Sequence, residues 1–352
     1  MNTLINPYSE IAYAQPLRAR STTKYTQRIT PVQMLSLSGL VSLGQVCLRL
    51  AGQLWGWRRL CGSRRGRPIV YADLTIWLTA VIQRLWQKSD EGIIRYLYDH
   101  PDLAVALGYP VDPQASEVWI IDPAHYGRRK KRLGLLPFFL AFVLLVRRLA
   151  EQGIISGRAL ILDASKLPAW YHADPDARWN DYLKIRGYKI HLVLDHLSLL
   201  PLMFMITPAN VADSVPAILL LLVTKALFGL AIRVVRADAG YWTTAILAFI
   251  LYGLQAWPAV DYNLRRLGKK FIATPEFLNW WRQEREKRAD IERSFGILKR
   301  WYGLKAFYVQ GLENVMRHAL LTCLAMLLTA LAAQEIGRPD LGRSPRRLLA
   351  DL

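Results

Sequence analysis

The segment GYKIHLVLD, residues 187–195, decides the predicted fold of this chain. Apolar and polar side chains alternate along it, which is the pattern of a β-strand with one polar face. Upstream, RALILD at residues 158–163 is a short, largely apolar strand that ends in a carboxylate. Downstream, a turn at 196–198 leads into residues 199–206, which are nearly all apolar, as expected for the central strand of a meander. These segments predict three consecutive strands.

The region after this meander alternates between helical and strand patterns. We predict helices at 211–229 and 243–253, each followed by a strand, at 232–238 and 255–260, and then two late helices at 284–302 and 313–333. Three strands, a helix, a strand, a helix and a strand form the element order of an RNase H-like domain. The sequence thus predicts an α/β domain over residues 151–335, in which helices flank a mixed five-stranded sheet.

The region before residue 150 shows only helical periodicity. Thr30 followed by Pro31 is typical of a helix start, and apolar residues at three- and four-residue intervals predict an amphipathic helix over 72–88. With further segments at 90–98 and 101–107, residues 30–150 are predicted to be all-helical, either a helix-turn-helix-like DNA reader or a packing module. We expect a disordered tail at 1–29 and a C-terminal tail at 336–352.

The charge balance points to a polyanionic partner. The chain carries 46 Lys and Arg against 27 Asp and Glu, a formal net charge of +19. Such an excess favours nucleic acid, whose phosphates attract clustered basic residues. In the basic run at 128–132, we predict DNA contacts by Arg128, Arg129 and Lys130; the alternative is that this run only flanks the apolar helix that follows.

Cysteine spacing and the length of the apolar runs argue against other classes of protein. The 3 Cys form no C-x-x-C pair, so neither zinc nor disulfides are expected and a reducing cytoplasm fits. The apolar runs at 135–146, 218–232 and 319–333 are shorter than the roughly 20 residues that a membrane-spanning helix needs. We therefore predict buried core helices and no membrane partner.

Two strands of the predicted sheet end in aspartates. In the predicted topology Asp163 and Asp238 lie at neighbouring strand ends, and the helix at 284–302 can bring Glu292 across the sheet edge to meet them. Three converging carboxylates repel one another unless a cation neutralises them, and oxygen ligands suit Mg²⁺ or Mn²⁺. A pair of such ions about 4 Å apart supports phosphoryl transfer, so we predict two ions at this site.

The charged helix presents a metal ligand between two cations. Arg288, Glu292 and Lys299 are 4 and then 7 residues apart, which places them within about 40° of one another on a helix. That face can hold a scissile phosphate over the metal site. Taken alone, however, the pattern also fits a simple Arg288–Glu292 pair on a solvated face.

The stretch REKRADIERSFGILK, residues 285–299, resembles the Y-(2)-R-(3)-E-(6)-K signature of DDE transposases from bacterial insertion sequences. Arg288, Glu292 and Lys299 fall on its R, E and K positions, and Arg285 replaces the Tyr. The segments LILDASK at 160–166 and VVRADAGYW at 234–242 are similar to the first and second Asp motifs of that family, and the strands between them also match. The resemblance covers residues 65–333.

This resemblance implies a transposase that cuts DNA at the ends of its element and joins them to target DNA. Asp163, Asp238 and Glu292 are then the catalytic metal ligands. The implied partners are double-stranded DNA, both terminal inverted repeats and target, and a second copy of the chain in a homodimer on paired ends. It also implies a cytoplasmic protein associated with the bacterial nucleoid. The alternative is a catalytically inactive, domesticated DNA-binding protein.

Other polar residues have more than one interpretation. We predict DNA contacts by Arg285, Arg288 and Lys299, and also by Lys189 and His191, although a structural role in the strand is the alternative for His191. Two further aspartates are predicted to be capping residues: Asp195 caps the turn before residue 199 and Asp213 caps the helix that follows.

Overall fold

The computed structural model describes residues 31–55, 70–112, 114, 117–262, 278–305 and 308–350. The predicted tail at 1–29 lies outside the described residues. The contacts between residues divide the chain into two compact units, Met1–Ala141 with Ala332–Leu352, and Phe142–Leu331. We call them the helical unit and the sheet unit.

The helical unit contains the helices that the sequence predicts and one that it does not. The additional helix, α5, has a polar sequence and begins at Pro123, where the side chain of Asp122 accepts hydrogen bonds from the backbone N–H groups of Ala124 and His125. The first six helices of the chain are α1 (Pro31–Trp55), α2 (Asp73–Leu85), α3 (Asp90–Asp99), α4 (Pro101–Ala106), α5 (Pro123–Leu133) and α6 (Leu136–Glu151).

The predicted C-terminal tail is in part ordered helix. A 3₁₀ turn at Pro339–Leu341 and a short helix at Pro345–Ala350 follow the last long helix. Leu341 and Leu348 are buried and cluster with Ala333. These side chains exclude water from a small apolar cluster, which holds the segment against the end of the last long helix.

The sheet unit contains a mixed sheet of six strands. Its strands are β1 (Ala159–Pro168), β2 (Arg178–Asn180), β3 (Ile185–Asp195), β4 (Pro201–Pro208), β5 (Val234–Ala237) and β6 (Trp257–Val260). β3 pairs antiparallel with β1, β2 and β4, whereas β5 lies parallel to both β1 and β6. The order β4-β3-β1-β5-β6 is that of an RNase H-like fold, which confirms the predicted fold class.

Three details of the sheet differ from the prediction. The strand that contains Asp163 continues to Pro168, and the short strand β2 was not predicted. Residues 199–206 were expected to be central, but β4 pairs only with β3 and so lies at an edge. Its apolar sequence is explained by burial: Phe142 of α6, for example, contacts Phe204 edge to face with ring centroids 5.9 Å apart.

The helices of the sheet unit include the crossovers that parallel strands require. They are α7 (Ala217–Phe228), α8 (Thr244–Ala248, extended by a π turn at Phe249–Gly253), α9 (Leu278–Glu286), α10 (Asp290–Trp301) and α11 (Leu312–Glu335); the helix at Pro345–Ala350 is α12. A 3₁₀ turn, Lys287–Ala289, separates α9 from α10. Among the described helices, α11 is long and apolar enough to cross a membrane, but 83% of its most apolar window is buried within the protein. Burial of this kind is expected of a core helix.

Candidate active site

Asp163 and Asp238 lie side by side on neighbouring strands. β1 and β5 are parallel, and their last register pair is Leu162 with Ala237. Each aspartate is the next residue of its chain, so their Cα atoms are about 4.8 Å apart, the usual spacing between paired strands. The structure thus brings together two carboxylates that are separated by the whole of β2 to β5 in sequence.

The electrostatic environment disfavours ionisation of these carboxylates. Burial is the main cause that raises the pKa of Asp163 to about 7; Asp238 and Asp213 raise it further, while a hydrogen bond from the Ala164 N–H and the charge of Arg288 oppose the shift. The pKa of Asp238 is also raised, again mainly by burial. Negative charge at this site therefore costs free energy that a bound cation would offset.

Two of the predicted basic residues reach β1. The Nη1 atom of Arg288 lies 3.1 Å from Oδ2 of Asp163, and Nζ of Lys299 donates to Oγ of Ser165 at 2.6 Å. Asp163 and Ser165 are two residues apart and therefore face the same side of the strand. The charged segment thus crosses β1 beside the aspartates, and both basic side chains point to that face.

The single long helix predicted at 284–302 is wrong, because a 3₁₀ turn at Lys287–Ala289 divides it. Glu284 of α9 pairs with the buried Arg236 of β5. Asp290 lies at the start of α10. Its Oδ2 is 3.1 Å from Nε2 of His196, which lies in the turn after β3. The 3₁₀ turn between these two contacts contains Arg288, whose guanidinium contacts Asp163.

Glu292 is not brought together with the two aspartates. It lies in the first turn of α10 rather than mid-helix, and its side chain is exposed. In the part of the chain that the structure describes, no group of three or more His, Cys, Asp or Glu side chains is placed to hold a metal ion. Glu292 precedes Lys299 by seven residues, however, so the two lie within about 20° of each other around the helix axis.

Sequence comparison identifies the domain that contains this site. Residues 156–328 match the profile of a family described as transposase DDE domain. This segment belongs to that family. It includes both aspartates, Glu292 and the whole described sheet, so the sheet unit carries the DDE domain.

Comparisons over the whole chain find less. No curated protein sequence matches the chain. Among solved structures, the chain matches a cryo-EM structure of the piggyBac transposase synaptic complex with hairpin DNA. The two share 9% sequence identity over 94% of this chain and 82% of that one, with a TM-score of 0.41.

Lys189 and His191, predicted to contact DNA, are buried inside the DDE domain. Nζ of Lys189 lies 2.5 Å from Oδ1 of Asp213, and Nε2 of His191 is 2.8 Å from Oγ1 of Thr207. Burial lowers the pKa of His191 to about 4. Both side chains therefore have partners within the protein, although Nδ1 of His191 makes no hydrogen bond with the described residues, and this supports the structural alternative for His191 and extends it to Lys189.

The contribution of Asp213 to the site was not predicted. Its interpretation as a helix cap is wrong, because α7 begins at Ala217 and its first residues receive no side-chain cap. Instead Asp213 pairs with Lys189 and raises the pKa of both Asp163 and Asp238. By contrast, the predicted capping role of Asp195 is confirmed, since its Oδ2 accepts from both N and Oγ of Ser198. In the sequence, the only signal for this role of Asp213 is its position shortly after β3 and β4.

The predicted DNA contacts in the run at 128–132 differ in their surroundings. Nη2 of Arg129 lies 2.5 Å from Oδ1 of Asp73, and Lys130 pairs with Asp90, both within the helical unit. Arg128 is exposed. Arg129 and Lys130 are therefore engaged by carboxylates within the helical unit, a role that neither interpretation of the run predicted, while Arg128 is open to an external partner.

Arg285, at the position where the family signature has Tyr, lies near the end of α9. Its Nε is 3.1 Å from Oδ1 of Asp261, and its guanidinium carbon is 5.1 Å from the centre of the Trp281 ring. About 40% of the side chain is exposed, so it can still reach a phosphate at the surface.

The chemistry of the two aspartates fits a divalent cation. Transposases of the DDE family generally use such metals, and hard carboxylate oxygens are their preferred ligands. Asp163 and Asp238 supply two adjacent carboxylates whose ionised forms are under-compensated by the protein, and Arg288 supplies the nearest counter-charge to Asp163. The two aspartates could therefore hold a metal ion, with further ligands required to complete its coordination.

Proposed function

We propose that this chain is a transposase that cleaves DNA at transposon ends in a metal-dependent reaction and transfers the cut strands into target DNA. The observation that carries the proposal is the pair Asp163 and Asp238, adjacent on parallel strands of a DDE domain, with pKa values raised mainly by burial and further by neighbouring carboxylates. Isolated surface carboxylates would not show this shift.

In this proposal Asp163, Asp238 and Glu292 are the ligands of two Mg²⁺ or Mn²⁺ ions. Bound there, such ions would activate the attacking oxygen and stabilise the leaving oxygen of a phosphodiester. Glu292 lies on the flank of α10 that it shares with Lys299, which contacts β1, and we propose that its side chain would turn toward the two aspartates in the metal-bound state. With a cation held by Asp163, the guanidinium of Arg288 would be free to bind a phosphate oxygen.

The expected nucleic acid partner is double-stranded DNA, both the terminal inverted repeats and the target. The formal net charge of +19 and the exposed basic residues on the DDE domain support this partner. We further propose that a homodimer joins the paired ends, because joining two ends in one complex requires two active sites.

The test is a nicking assay on DNA that carries the ends of the element from which the gene derives. Wild-type protein should nick these ends with Mg²⁺ or Mn²⁺ and not in excess EDTA. Asp163→Asn, Asp238→Asn and Glu292→Gln should each reduce nicking by several orders of magnitude. Glu286→Gln, which alters an exposed glutamate of α9, is the matched control and should cleave normally.

The second candidate is an inactive DNA-binding protein, and the observation that favours it is the exposure of Glu292 away from the two aspartates. The same assay separates the two. An inactive binder retains the end fragments in a mobility-shift gel but produces no metal-dependent nicks. Full nicking by Asp163→Asn or Asp238→Asn would instead refute the assignment of the site.

A further inference from the structure

Five aromatic side chains are exposed around the start of β3. Trp170 and Tyr308 expose 59% and 56% of their surface, and both belong to the DDE domain. Large aromatic side chains usually bury their faces, so a group of exposed rings marks a binding surface. We call this group the aromatic platform; it consists of Trp170, Tyr171, Trp179, Tyr182 and Tyr308.

Buried contacts hold the platform in place. The ring centroids of Trp170 and Tyr308 are 4.5 Å apart in an edge-to-face arrangement. Nearby in sequence, the fully buried carboxylate of Asp174 accepts hydrogen bonds from Oη of Tyr188 at 2.7 Å and from the backbone N–H of Gly311 at 3.1 Å. These bonds tie the segment that contains Trp170 to the segment that contains Tyr308. Preorganised rings lose little conformational entropy when a ligand binds.

A close backbone approach fixes the course of the chain before Trp170. A Cβ atom at Gly187 would lie 2.3 Å from the carbonyl oxygen of Leu167 and 2.6 Å from the backbone nitrogen of Ala169. Only glycine permits this approach, because the clashing atoms belong to the backbone and cannot move aside. The end of β1 therefore packs directly on β3, and Trp170 leaves it from a defined position.

Basic residues connect the platform to the candidate active site. Lys299 bonds Ser165 of β1, and burial, followed by the nearby charges of Lys166 and Lys305, lowers its pKa. The ammonium groups of Lys166 and Lys305 therefore lie near that of Lys299. Lys166 precedes Trp170 by four residues, and Lys305 precedes Tyr308 by three. Along β1, Asp163 and Pro168 are about 16 Å apart, a distance that a few nucleotides span.

We propose that Trp170 and Tyr308 bind an unpaired base of the DNA strand near the reacting phosphate, while Lys166 and Lys305 contact the phosphates of that strand. The proposal rests on the proposed function, because it places the platform beside the same active site. Aromatic faces accept any base by stacking, but only where the base is not already stacked within a duplex. The lysines supply the charge complementarity that a polyanion requires and an apolar peptide does not.

The test compares two labelled duplexes of the same sequence, one blunt and one with a short oligothymidine tail, by fluorescence anisotropy with the full chain. Wild-type protein should bind the tailed duplex about fivefold or more tightly, the gain expected from stacking a base. Trp170→Ala and Tyr308→Ala should each remove most of that gain and leave the affinity for the blunt duplex unchanged. Trp170→Phe should retain part of it.

Trp257→Ala is the matched control, because Trp257 is equally exposed on β6, at the far edge of the sheet. It should leave the preference for the tail intact. Equal binding of tailed and blunt duplexes by wild type, or a preference that survives Trp170→Ala, overturns the role of the platform while the proposed transposase function stands. Absence of binding to either duplex overturns both proposals. Nicking by wild type on preformed ends remains an independent readout of the function alone.

Discussion

Asp90 in the helical unit and Asp163 in the DDE domain are both partly buried carboxylates with a cation at hydrogen-bonding distance, yet their pKa values move in opposite directions. Burial raises the pKa of Asp90, but Lys130, a hydrogen bond from Gln83 and the charge of Arg84 outweigh burial and lower it. Asp163 has a raised pKa despite its contact with Arg288.

The two carboxylates differ in the number of positive and negative groups that lie close to them. Two cations and an amide surround Asp90. At the candidate site a single guanidinium, Arg288, lowers the pKa of both Asp163 and Asp238, and Asp213 adds negative charge nearby. The helical unit therefore uses its buried charges to hold its own helices together. The DDE domain leaves carboxylates under-compensated, as expected where an external cation binds.

The strongest test of this comparison is a pair of isosteric substitutions with opposite signs. A carboxyl group whose folded pKa is raised stabilises the fold at low pH and loses that contribution as pH rises through its folded value, here about 7. Above that pH, without divalent ions, Asp163→Asn should raise the free energy of unfolding by about 2–4 kcal/mol. Asp90→Asn should lower it by about 1–2 kcal/mol, because Lys130 loses its partner.

Urea denaturation at pH 8 in EDTA measures both changes. Asp102→Asn, which alters a carboxylate outside both clusters, serves as the control and should shift the free energy of unfolding little. A loss of stability in Asp163→Asn would show that Arg288 compensates the site fully, and the contrast between the two regions would then fail.

The sequence predicted the sheet and the meeting of Asp163 and Asp238 because both depend on local patterns. Period-two alternation locates β3, and the order of strands and helices then places β1 next to β5. Parallel neighbours bring the residues that follow them to one edge whatever lies between them in sequence. That part of the site follows from topology alone, without any side-chain detail.

The remaining features depend on contacts between distant residues, which no local pattern reveals. Alternation placed Lys189 and His191 on a polar face, but Asp213 and Thr207 cover that face. The periodicity of 284–302 predicted one helix, yet a 3₁₀ turn divides it, and residues on either side of that turn pair with different elements. Helical spacing gives the flank on which Glu292 lies, but it does not predict that the side chain is exposed.

His191 extends the comparison to a buried base. Burial lowers its pKa to about 4 from the 6.5 of an exposed histidine, although the charge of Asp213 opposes the shift. The neutral ring therefore stabilises the fold fully above pH 6.5, and this contribution is lost as pH falls through 4. Over that window His191→Gln should reduce the acid-induced loss of stability by about 2 kcal/mol.

Thermal melts at pH 4.5 and 7 measure this effect of His191. The exposed His172 provides the matched variant, since His172→Gln should leave the pH dependence of Tm as in wild type. If His191→Gln leaves the pH dependence of Tm unchanged, another buried group causes the acid-induced loss of stability.

Addition of Mg²⁺ tests the under-compensated site directly. At about ten times its dissociation constant, an ion that binds only the folded protein adds about 1.4 kcal/mol to the free energy of unfolding. The gain should grow as pH rises through about 7, because Asp163 must lose its proton to bind the ion. Asp163→Asn should remove the gain and Asp90→Asn should keep it. Equal stabilisation of both variants would place the ion elsewhere.

The smallest expected effects separate a polar contact that stabilises the fold from one that serves the site. In the helical unit, Oη of the fully buried Tyr126 donates to Oε1 of Gln83 at 2.9 Å. Tyr126→Phe should cost about 1 kcal/mol, because no water replaces the lost donor.

In the DDE domain, Ser165→Ala removes the acceptor of Lys299, but water can solvate that partly exposed ammonium. The cost to stability should stay below about 0.5 kcal/mol, whereas DNA binding should weaken if Ser165 positions Lys299 for a phosphate. Urea denaturation measures the free energy of unfolding of both variants, and fluorescence anisotropy measures their affinity for DNA. Equal losses of stability in Tyr126→Phe and Ser165→Ala would show that these polar contacts do not differ between the two regions.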